Sequence, residues 1–249
     1  GETGYLPAGG LPELREAIAR HYADHYQAPV DPQRIVITPG ASGALVVALA
    51  MLADPGQNVL LPDPGHPCNR NFVELVDARP RAVRVTADTD YQLTAGLARA
   101  AADPRTAAIM VGSPGNPTGT LAGAADLAGL AAFAEERGVG LIVDEIYHGL
   151  HYGDPPAQGV VHAPGSIIIN SFSKYFGMTG WRLGWMVMPA EWVPVAEKLM
   201  QNLFISASTP AQHAALACFG DEARAIFESR RAAFRQRRDF LLPALRELG

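Results

Sequence analysis

Lysine is almost absent from this chain: two of its 20 basic residues are lysine, and the other eighteen are arginine. One of the two, Lys174, lies in the segment Ser171-Phe172-Ser173-Lys174-Tyr175-Phe176-Gly177. In a chain that uses arginine for its positive charge, we expect a retained lysine to do what only a primary amine can do. An amine condenses with an aldehyde, whereas a guanidinium does not, because its charge is delocalised and its pKa is too high.

Three other shortages exclude whole classes of protein. Two cysteines, Cys68 and Cys218, are too few for a disulfide framework and indicate a reducing, cytoplasmic compartment. No apolar run in the sequence reaches the roughly 18 residues that a membrane helix needs. The formal net charge of −5 gives no electrostatic case for binding nucleic acid or an anionic membrane. We therefore expect neither nucleic acid nor a membrane as a partner.

Helix-like and strand-like segments alternate along the chain, which is typical of an α/β fold. The segments 106–111, 139–143 and 166–169 are apolar enough to be strands covered on both faces, as in a parallel sheet. Further strands are predicted over residues 34–38, 58–61, 81–85 and 181–188. Helices are predicted over residues 11–26, 40–52, 66–76, 123–137, 191–219 and 221–248, with an interruption or bend near Pro243.

Polar residues follow three of the buried strands at their carboxyl ends, where open α/β sheets bind their ligands. These residues are Asn116, Asp144 with Tyr147, and Ser171 with Lys174. A fourth strand, which ends at Thr38, leads into a helix that starts at Gly40-Ala41-Ser42-Gly43. Because the free N–H groups and the positive dipole of a helix start suit a phosphate, we expect all four groups to meet in one crevice.

A phosphate-bearing aldehyde held by a lysine describes pyridoxal 5'-phosphate (PLP). Asp144 can keep the pyridine nitrogen of such a cofactor protonated, since a nearby carboxylate favours the cationic form. Asn116 and Tyr147 can hydrogen-bond the phenolate oxygen of the ring. Lys174 can then carry a proton between the α-carbon of a substrate and the cofactor.

The phosphate requires donors of its own, and the segment around Lys174 supplies them. Ser171 and Ser173 carry hydroxyls three residues and one residue before the lysine, and Arg182 follows eight residues after it. A guanidinium can bind a phosphate with two parallel hydrogen bonds. These three residues are therefore candidates for clasping the phosphate.

Several segments, in order and at fitting separations, strongly resemble those of class I/II aminotransferases, the fold type I PLP enzymes that are similar to aspartate and aromatic aminotransferases. They are Tyr5-Leu6-Pro7-Ala8-Gly9-Gly10-Leu11-Pro12-Glu13-Leu14-Arg15, Asn116-Pro117-Thr118-Gly119, Asp144-Glu145-Ile146-Tyr147, Ser171-Phe172-Ser173-Lys174 and Gly180-Trp181-Arg182-Leu183-Gly184. The resemblance spans nearly the whole chain. It implies a three-layer αβα sandwich with a mostly parallel mixed sheet. It also implies a PLP-binding large domain over residues 1–225, followed at 226–249 by an interdomain helix and the start of a smaller C-terminal domain.

The resemblance assigns a role to each candidate residue. Lys174 is the Schiff-base lysine, and Asp144, Asn116, Tyr147, Ser171, Ser173 and Arg182 keep the roles given above. It implies that Ala41 and Ser42 provide helix-start contacts to the phosphate. It implies that Tyr5 reaches the phosphate of the neighbouring subunit's cofactor, so that a homodimer shares its active sites. His66 stands where the family usually has an aromatic residue stacked on the cofactor ring.

The predicted function is a PLP-dependent aminotransferase that moves an amino group between an amino acid and a 2-oxo acid by a ping-pong Schiff-base mechanism. Two alternatives stay open: a lyase or decarboxylase of the same fold, and a non-catalytic PLP-binding effector domain of a transcriptional regulator. The arginine that binds the substrate carboxylate in this family has no counterpart in this sequence. The chain also begins at Gly1 without methionine, so we expect the sequence to be an excerpt of a longer protein. The donor and the acceptor are not specified.

His148 and His151 follow Asp144 and Glu145 closely, which invites a metal site. The segment lacks the His-Glu-x-x-His order of zinc hydrolases, so no metal is predicted.

Overall fold

The computed structural model describes residues 3–248, and these residues form a seven-stranded mixed sheet between two layers of helices. The strands are Ile35–Thr38 (β1), Asn58–Asp63 (β2), Arg79–Arg84 (β3), Thr106–Gly112 (β4), Gly140–Asp144 (β5), Ile167–Ser171 (β6) and Gly184–Val187 (β7). The helices are Pro12–Tyr26 (α1), Gly40–Leu52 (α2), Pro67–Leu75 (α3), Ala95–Ala101 (α4), Ala124–Arg137 (α5), Gly159–His162 (α6), Val193–Phe204 (α7), Thr209–Leu216 (α8) and Asp221–Glu247 (α9).

The strand order across the sheet is β1-β7-β6-β5-β4-β2-β3. Strands β6, β5, β4, β2 and β3 are parallel, whereas β7 runs antiparallel to its neighbours β1 and β6. Strand β1 consequently runs in the direction of the parallel strands. The carboxyl ends of β1, β4, β5 and β6 therefore lie at the same edge of the sheet.

Two hydrophobic cores, one on each face of the sheet, hold the layers together. Successive side chains of β1 alternate between them: Ile35 and Ile37 belong to the core that contains Leu14 of α1, and Val36 belongs to the core that contains Leu49 of α2. Both faces of the parallel strands are covered, which explains their continuous apolar sequences. The predicted αβα sandwich with a mostly parallel sheet is confirmed.

The structure differs from the sequence-based prediction at the start of β7, at α7 and α8, and at α4 and α6, two short helices that were not predicted. The strand predicted over residues 181–188 begins only at Gly184, because a 3₁₀ turn precedes it and Arg182 has a left-handed φ of 52° that an extended strand cannot contain. The helical stretch predicted over 191–219 is two helices, α7 and α8. They are separated where Ile205 adopts a φ of 66°.

Helix α9 continues through Pro243 without a break. The domain boundary predicted between residues 225 and 226 falls inside this helix, and the division into domains stays a prediction. Cys68 and Cys218 are both free thiols. Among residues 3–248, no helix combines the length and the apolar content that crossing a bilayer requires.

Candidate active site

The edge of the sheet where β1, β4, β5 and β6 end borders a cavity of about 270 Å³. Most of the residues singled out from the sequence line this cavity: Ala41, Ser42, His66, Asn116, Asp144, Tyr147, Ser173, Lys174 and Arg182. They come from loops and helix starts that are distant in sequence. The parallel strands bring them together, because each strand delivers its polar residues to the same edge.

One end of the cavity is the start of α2. Gly184 of β7 allows α2 to lie this close to the sheet, since a Cβ at residue 184 would come within 2.8 Å of Asn170 O, 2.9 Å of Gly40 C and 3.0 Å of Ala41 N. No side chain in the part of the chain that the structure describes caps this helix start. Its first N–H groups therefore remain available to an anion in the cavity.

Arg182 lies against the same helix start. Its Nη1 donates a hydrogen bond to Thr179 O at 2.8 Å and lies 3.4 Å from Ser173 Oγ, and a Cβ at Gly40 would meet its Nη2 at 2.8 Å. The left-handed φ of Arg182 costs energy for a residue with a side chain and persists because these contacts determine it. The guanidinium, the Ser173 hydroxyl and the N-terminus of α2 together form a positive seat for an anion.

Ser171 lies behind this seat and does not line the cavity. Its side chain is buried, and its Oγ is 2.9 Å from Ser173 Oγ and 3.0 Å from Leu183 O. It also accepts a hydrogen bond from the Ser173 N–H at 3.1 Å. The structure therefore places Ser171 where it orients Ser173.

The other end of the cavity carries a carboxylate and a phenol from the turn that follows β5. Asp144 Oδ1 accepts a hydrogen bond from the Ile146 N–H at 3.1 Å. Burial raises the pKa of Asp144 to about 6, although the charge of Lys174 acts in the opposite direction. Asn116 Nδ2 donates to Tyr147 Oη at 3.1 Å, and Lys174 Nζ lies 5.4 Å from the centre of the Tyr147 ring.

His66 and Tyr5, the two remaining candidates, differ in position. His66 lines the cavity, and its buried Nδ1 has no hydrogen-bond partner among residues 3–248. Burial, followed by the charge of Lys174, lowers the pKa of His66, so the cavity faces a neutral ring. Tyr5 lies outside the cavity with 79% of its surface exposed.

Sequence reasoning missed Glu145 and Gly184. Glu145 reads as a charged surface residue in the sequence, yet its side chain is fully buried beside His148. No sequence pattern signalled this burial, because it depends on the packing of α6 against the turn. Glu145 and His148 are paired in the interior, and within the described residues no three His, Cys, Asp or Glu side chains are grouped as metal ligands.

The arrangement joins three chemical functions in one cavity. A primary amine, Lys174, lines the same cavity as a half-buried carboxylate, Asp144, and the positive seat beside Arg182. Such a site can hold a molecule with an anionic group at one end and a cationic group at the other, and it presents a nucleophilic nitrogen to the middle of that molecule.

Comparisons with known proteins agree over the whole length of the chain. The family model for aminotransferase class I and II matches residues 1–249. The chain is similar to the valine–pyruvate aminotransferase of Mycobacterium tuberculosis, with 36% identity over 250 residues that cover 100% of the chain and 64% of the relative. It is also similar to the (5-formylfuran-3-yl)methyl phosphate transaminase of Methanocaldococcus jannaschii, with 36% identity over 100% of the chain and 65% of the relative. The chain thus spans just under two thirds of the length of these relatives.

Crystal structures of related proteins show the same architecture. An aminotransferase from Mycobacterium tuberculosis superposes with a TM-score of 0.96 at 36% identity, covering 100% of this chain and 65% of that one. The aspartate aminotransferase of Thermus thermophilus with maleate gives a TM-score of 0.93 at 33% identity, covering 99% of this chain and 65% of that one.

Proposed function

The chain belongs to the aminotransferase class I and II family, and from this premise we propose that the full-length protein is a PLP-dependent aminotransferase. It exchanges an amino group between an amino acid and a 2-oxo acid. The observation that carries the proposal is the convergence of Lys174, Asp144 and Arg182 on one cavity at the carboxyl edge of the sheet.

The residues of the cavity fit PLP. The positive seat formed by Arg182, Ser173 and the start of α2 suits a phosphate. At the other end, the carboxyl of Asp144 receives one hydrogen bond, from Ile146, and its raised pKa shows that its charge is poorly compensated. A cationic pyridine nitrogen would supply that compensation, and the neutral ring of His66 offers a flat surface beside it.

When bound, PLP supplies an aldehyde that condenses with amines and an electron-withdrawing ring that stabilises negative charge at the α-carbon of an amino acid. The residues of this chain bind it and move protons. Lys174 would hold the cofactor through Nζ, and as a free amine the same Nζ would take the proton from the α-carbon of the amino acid. Asp144 would keep a proton on the pyridine nitrogen, while Asn116 and Tyr147 would donate to the phenolate oxygen.

The substrates are proposed only as classes. Two of the similar proteins are named for valine with pyruvate and for aspartate, which are 2-amino acids and a 2-oxo acid, whereas a third is named for an aldehyde, (5-formylfuran-3-yl)methyl phosphate. We propose that this protein likewise uses an amino acid and a 2-oxo acid, in two successive half-reactions at the same lysine. A homodimer with shared active sites, in which Tyr5 serves the neighbouring subunit, is part of the same proposal.

Covalent mapping of the cofactor tests the proposal, and the second lysine of the chain is its matched control. Full-length protein loaded with PLP is reduced with borohydride and digested, and the pyridoxyl label is located by mass spectrometry. Wild type and Lys198→Ala should carry the label on Lys174, and Lys174→Ala should carry none. A label on Lys198, or an unlabelled wild type, contradicts the assignment.

A second measurement separates transamination from other PLP chemistry. Incubation of the loaded protein with a single amino acid should yield one equivalent of 2-oxo acid and leave the cofactor as pyridoxamine phosphate. Release of ammonia or carbon dioxide with continuous turnover would instead indicate a lyase or a decarboxylase.

A further inference from the structure

Glu145 is a buried carboxyl that the proposed mechanism does not use. It follows Asp144 directly, and its backbone N–H donates to Ile169 O of β6 at 2.8 Å. Its side chain is 0% exposed. The turn that positions Asp144 and Tyr147 therefore contains a third polar residue, directed into the interior of the protein.

The first partner of this carboxyl is the start of α6. Gly159 donates its N–H to Glu145 Oε1 at 2.6 Å. A Cβ at residue 159 would come within 3.0 Å of this oxygen and within 2.5 Å of Ile168 Cδ1, so the close approach requires a glycine. The contact joins the turn after β5 to an element that begins 14 residues later in the chain.

The second partner is His148, which closes the same turn. The His148 N–H donates to the Glu145 carbonyl at 2.9 Å, and the two side chains meet with His148 Nδ1 3.4 Å from Glu145 Oε2. Both residues are buried, and in residues 3–248 neither Glu145 Oε2 nor either ring nitrogen of His148 makes a hydrogen bond, so the 3.4 Å contact is the polar approach that the structure shows between them. Gln158, the residue before α6, lies beside the imidazole, and its Nε2 donates to Pro156 O at 2.9 Å.

The surroundings of this pair disfavour charge on either member. The titratable groups that face Glu145 are Asp144 and His148 on its own turn, and Tyr22 and Tyr26 on α1. Burial, reinforced by the charge of Asp144 and opposed by the Gly159 N–H, raises the pKa of Glu145 to about 8.

The imidazole is neutral as well. Burial, reinforced by His151 and opposed by Gln158 and the Ser113 backbone, lowers the pKa of His148 to about 3. At neutral pH these two shifts favour a protonated carboxyl on Glu145 and a neutral imidazole, whose nitrogen that faces the carboxyl can accept a hydrogen bond.

We propose that Glu145 is a positioning residue for Asp144 and Tyr147: as an uncharged acid it donates a hydrogen bond to His148 and accepts one from Gly159. These two contacts hold the turn in place without setting a second negative charge beside Asp144. The role of Asp144 and Tyr147 at the cofactor rests on the proposed function, whereas the uncharged state of Glu145 does not.

The absence of a second charge has a chemical consequence. Asp144 is already disfavoured as a carboxylate by its burial. An ionised Glu145 next to it would disfavour that carboxylate further, and the pyridine nitrogen would lose its counter-charge. A neutral acid supplies the same hydrogen bonds at this position without that penalty.

The uncharged state can be tested on the protein without cofactor by comparing Glu145→Gln with wild type. A carboxyl whose pKa rises from 4.5 in the unfolded chain to about 8 in the fold contributes stability that is lost as the pH rises through this window. Glutamine does not titrate. We expect the difference in melting temperature between Glu145→Gln and wild type to increase steadily from pH 5 to pH 8. The corresponding difference between Glu135→Gln, on the exposed face of α5, and wild type should stay constant over this range. A constant difference for Glu145→Gln would overturn the proposal.

The positioning role is tested with the PLP-loaded protein. Glu145→Leu fills the site without hydrogen bonds, and we expect its kcat to fall at least about ten-fold with KM changed less than about two-fold, because Asp144 and Tyr147 are displaced while substrate binding is retained. Glu145→Gln, which keeps a donor and an acceptor, should stay within about two-fold of wild type in kcat. Wild-type turnover in Glu145→Leu, or equal losses in both variants, would overturn the proposal.

Failure of the proposed function gives a different result. If wild type carries no pyridoxyl label on Lys174, the aminotransferase assignment fails and the turnover comparison has no basis. The melting temperatures of the cofactor-free variants still decide whether Glu145 is an uncharged acid. The displacement of the turn is then measured from tyrosine fluorescence. The signal of Tyr147 is the difference between a protein and its Tyr147→Phe counterpart, and this difference is compared among wild type, Glu145→Leu and Glu145→Gln.

Discussion

At the scale of single residues, the cavity is organised by charge. Arg182 and the start of α2 make one end positive, and Asp144 at the other end is a carboxylate that burial disfavours. The ligand-free protein therefore bears a desolvation cost that a cationic nitrogen would offset. This makes cofactor binding sensitive to the protonation of Asp144.

Asp144 should produce a rise of PLP affinity with pH. Its pKa is raised from 3.8 to about 6, so the carboxyl is protonated below about pH 6 and cannot balance a pyridinium there. We expect the PLP affinity of wild type to increase from pH 5 to pH 7 and then to level off, as followed by absorbance titration. Asp144→Asn should bind about ten-fold more weakly at pH 7.5, the equivalent of about 1.4 kcal/mol for the lost counter-charge. Its rise with pH should be smaller than that of wild type, because only the phosphate of PLP, with a second pKa of about 6, still titrates in this range.

An exposed aspartate provides the control for this titration. Asp24→Asn on α1 should retain the wild-type profile. If Asp144→Asn shows the same rise in affinity as wild type, another group titrates at the cofactor and the role assigned to Asp144 is wrong.

Arg182 should discriminate between cofactors with and without a phosphate. Lysine at residue 182 keeps the charge but cannot form two parallel hydrogen bonds to a phosphate. We expect Arg182→Lys to weaken the binding of PLP by about ten-fold, since charge-assisted bidentate contacts contribute on the order of 1.5–3 kcal/mol. Binding of pyridoxal, which lacks the phosphate, should remain at the wild-type level in an equilibrium titration. An equal loss for both ligands would place Arg182 away from the phosphate.

At the scale of elements, the geometry of the phosphate seat depends on how closely α2 approaches β7. Gly184→Ala would place a Cβ 2.9 Å from Gly40 C, a contact with backbone that cannot rotate away. We expect this variant to displace the start of α2, to lower the melting temperature and to weaken PLP binding. The matched control is Gly180→Ala in the same segment, where a Cβ meets nothing within 4 Å. Wild-type PLP affinity in Gly184→Ala would show that the seat tolerates a shift of α2.

The helices and strands that position the site could be predicted where the local sequence pattern indicates the same secondary structure that tertiary packing produces. The bounds of α2, Gly40–Leu52, follow from a glycine-rich start and a continuous apolar run, and β4, β5 and β6 follow from apolar segments buried on both faces. The start of β7 was missed because the apolar pattern of residues 181–188 does not reveal that Arg182 adopts a left-handed conformation. Helix α6 was missed because four residues carry no helical period.

At the scale of the whole molecule, the site follows from the direction of the strands. Lys174, Asn116 and Asp144 could be predicted to meet because the strands before them are parallel neighbours in one sheet. The burial of Glu145 could not be predicted in this way, because it depends on α6 and α1 closing over the turn. Strand order explains which residues meet at the cavity, and side-chain packing behind the sheet explains how firmly they are held.

The role proposed for Tyr5 concerns the assembled molecule, because 79% of the surface of this residue is exposed and it does not line the cavity of its own chain. The preceding Gly4 is fixed to α8 by a hydrogen bond from Thr209 Oγ1 to its carbonyl at 2.7 Å, so the tyrosine is presented outward. In a homodimer with shared active sites, its hydroxyl would donate to the phosphate bound in the neighbouring subunit. We expect the full-length protein to sediment as a dimer and Tyr5→Phe to weaken PLP binding by about three- to ten-fold, the range of one lost hydrogen bond.

A mixed dimer separates this arrangement from an indirect effect of Tyr5 within its own subunit. When a Tyr5→Phe chain is paired with a Lys174→Ala chain, the intact Lys174 lies in the subunit that lacks the tyrosine hydroxyl, and the intact Tyr5 lies in the other. If sites are shared, the Lys174 site receives its tyrosine from the Lys174→Ala chain, and its PLP affinity should return to the wild-type value in an equilibrium titration. An affinity that remains at the level of the Tyr5→Phe homodimer would show that each subunit binds the cofactor with its own residues alone.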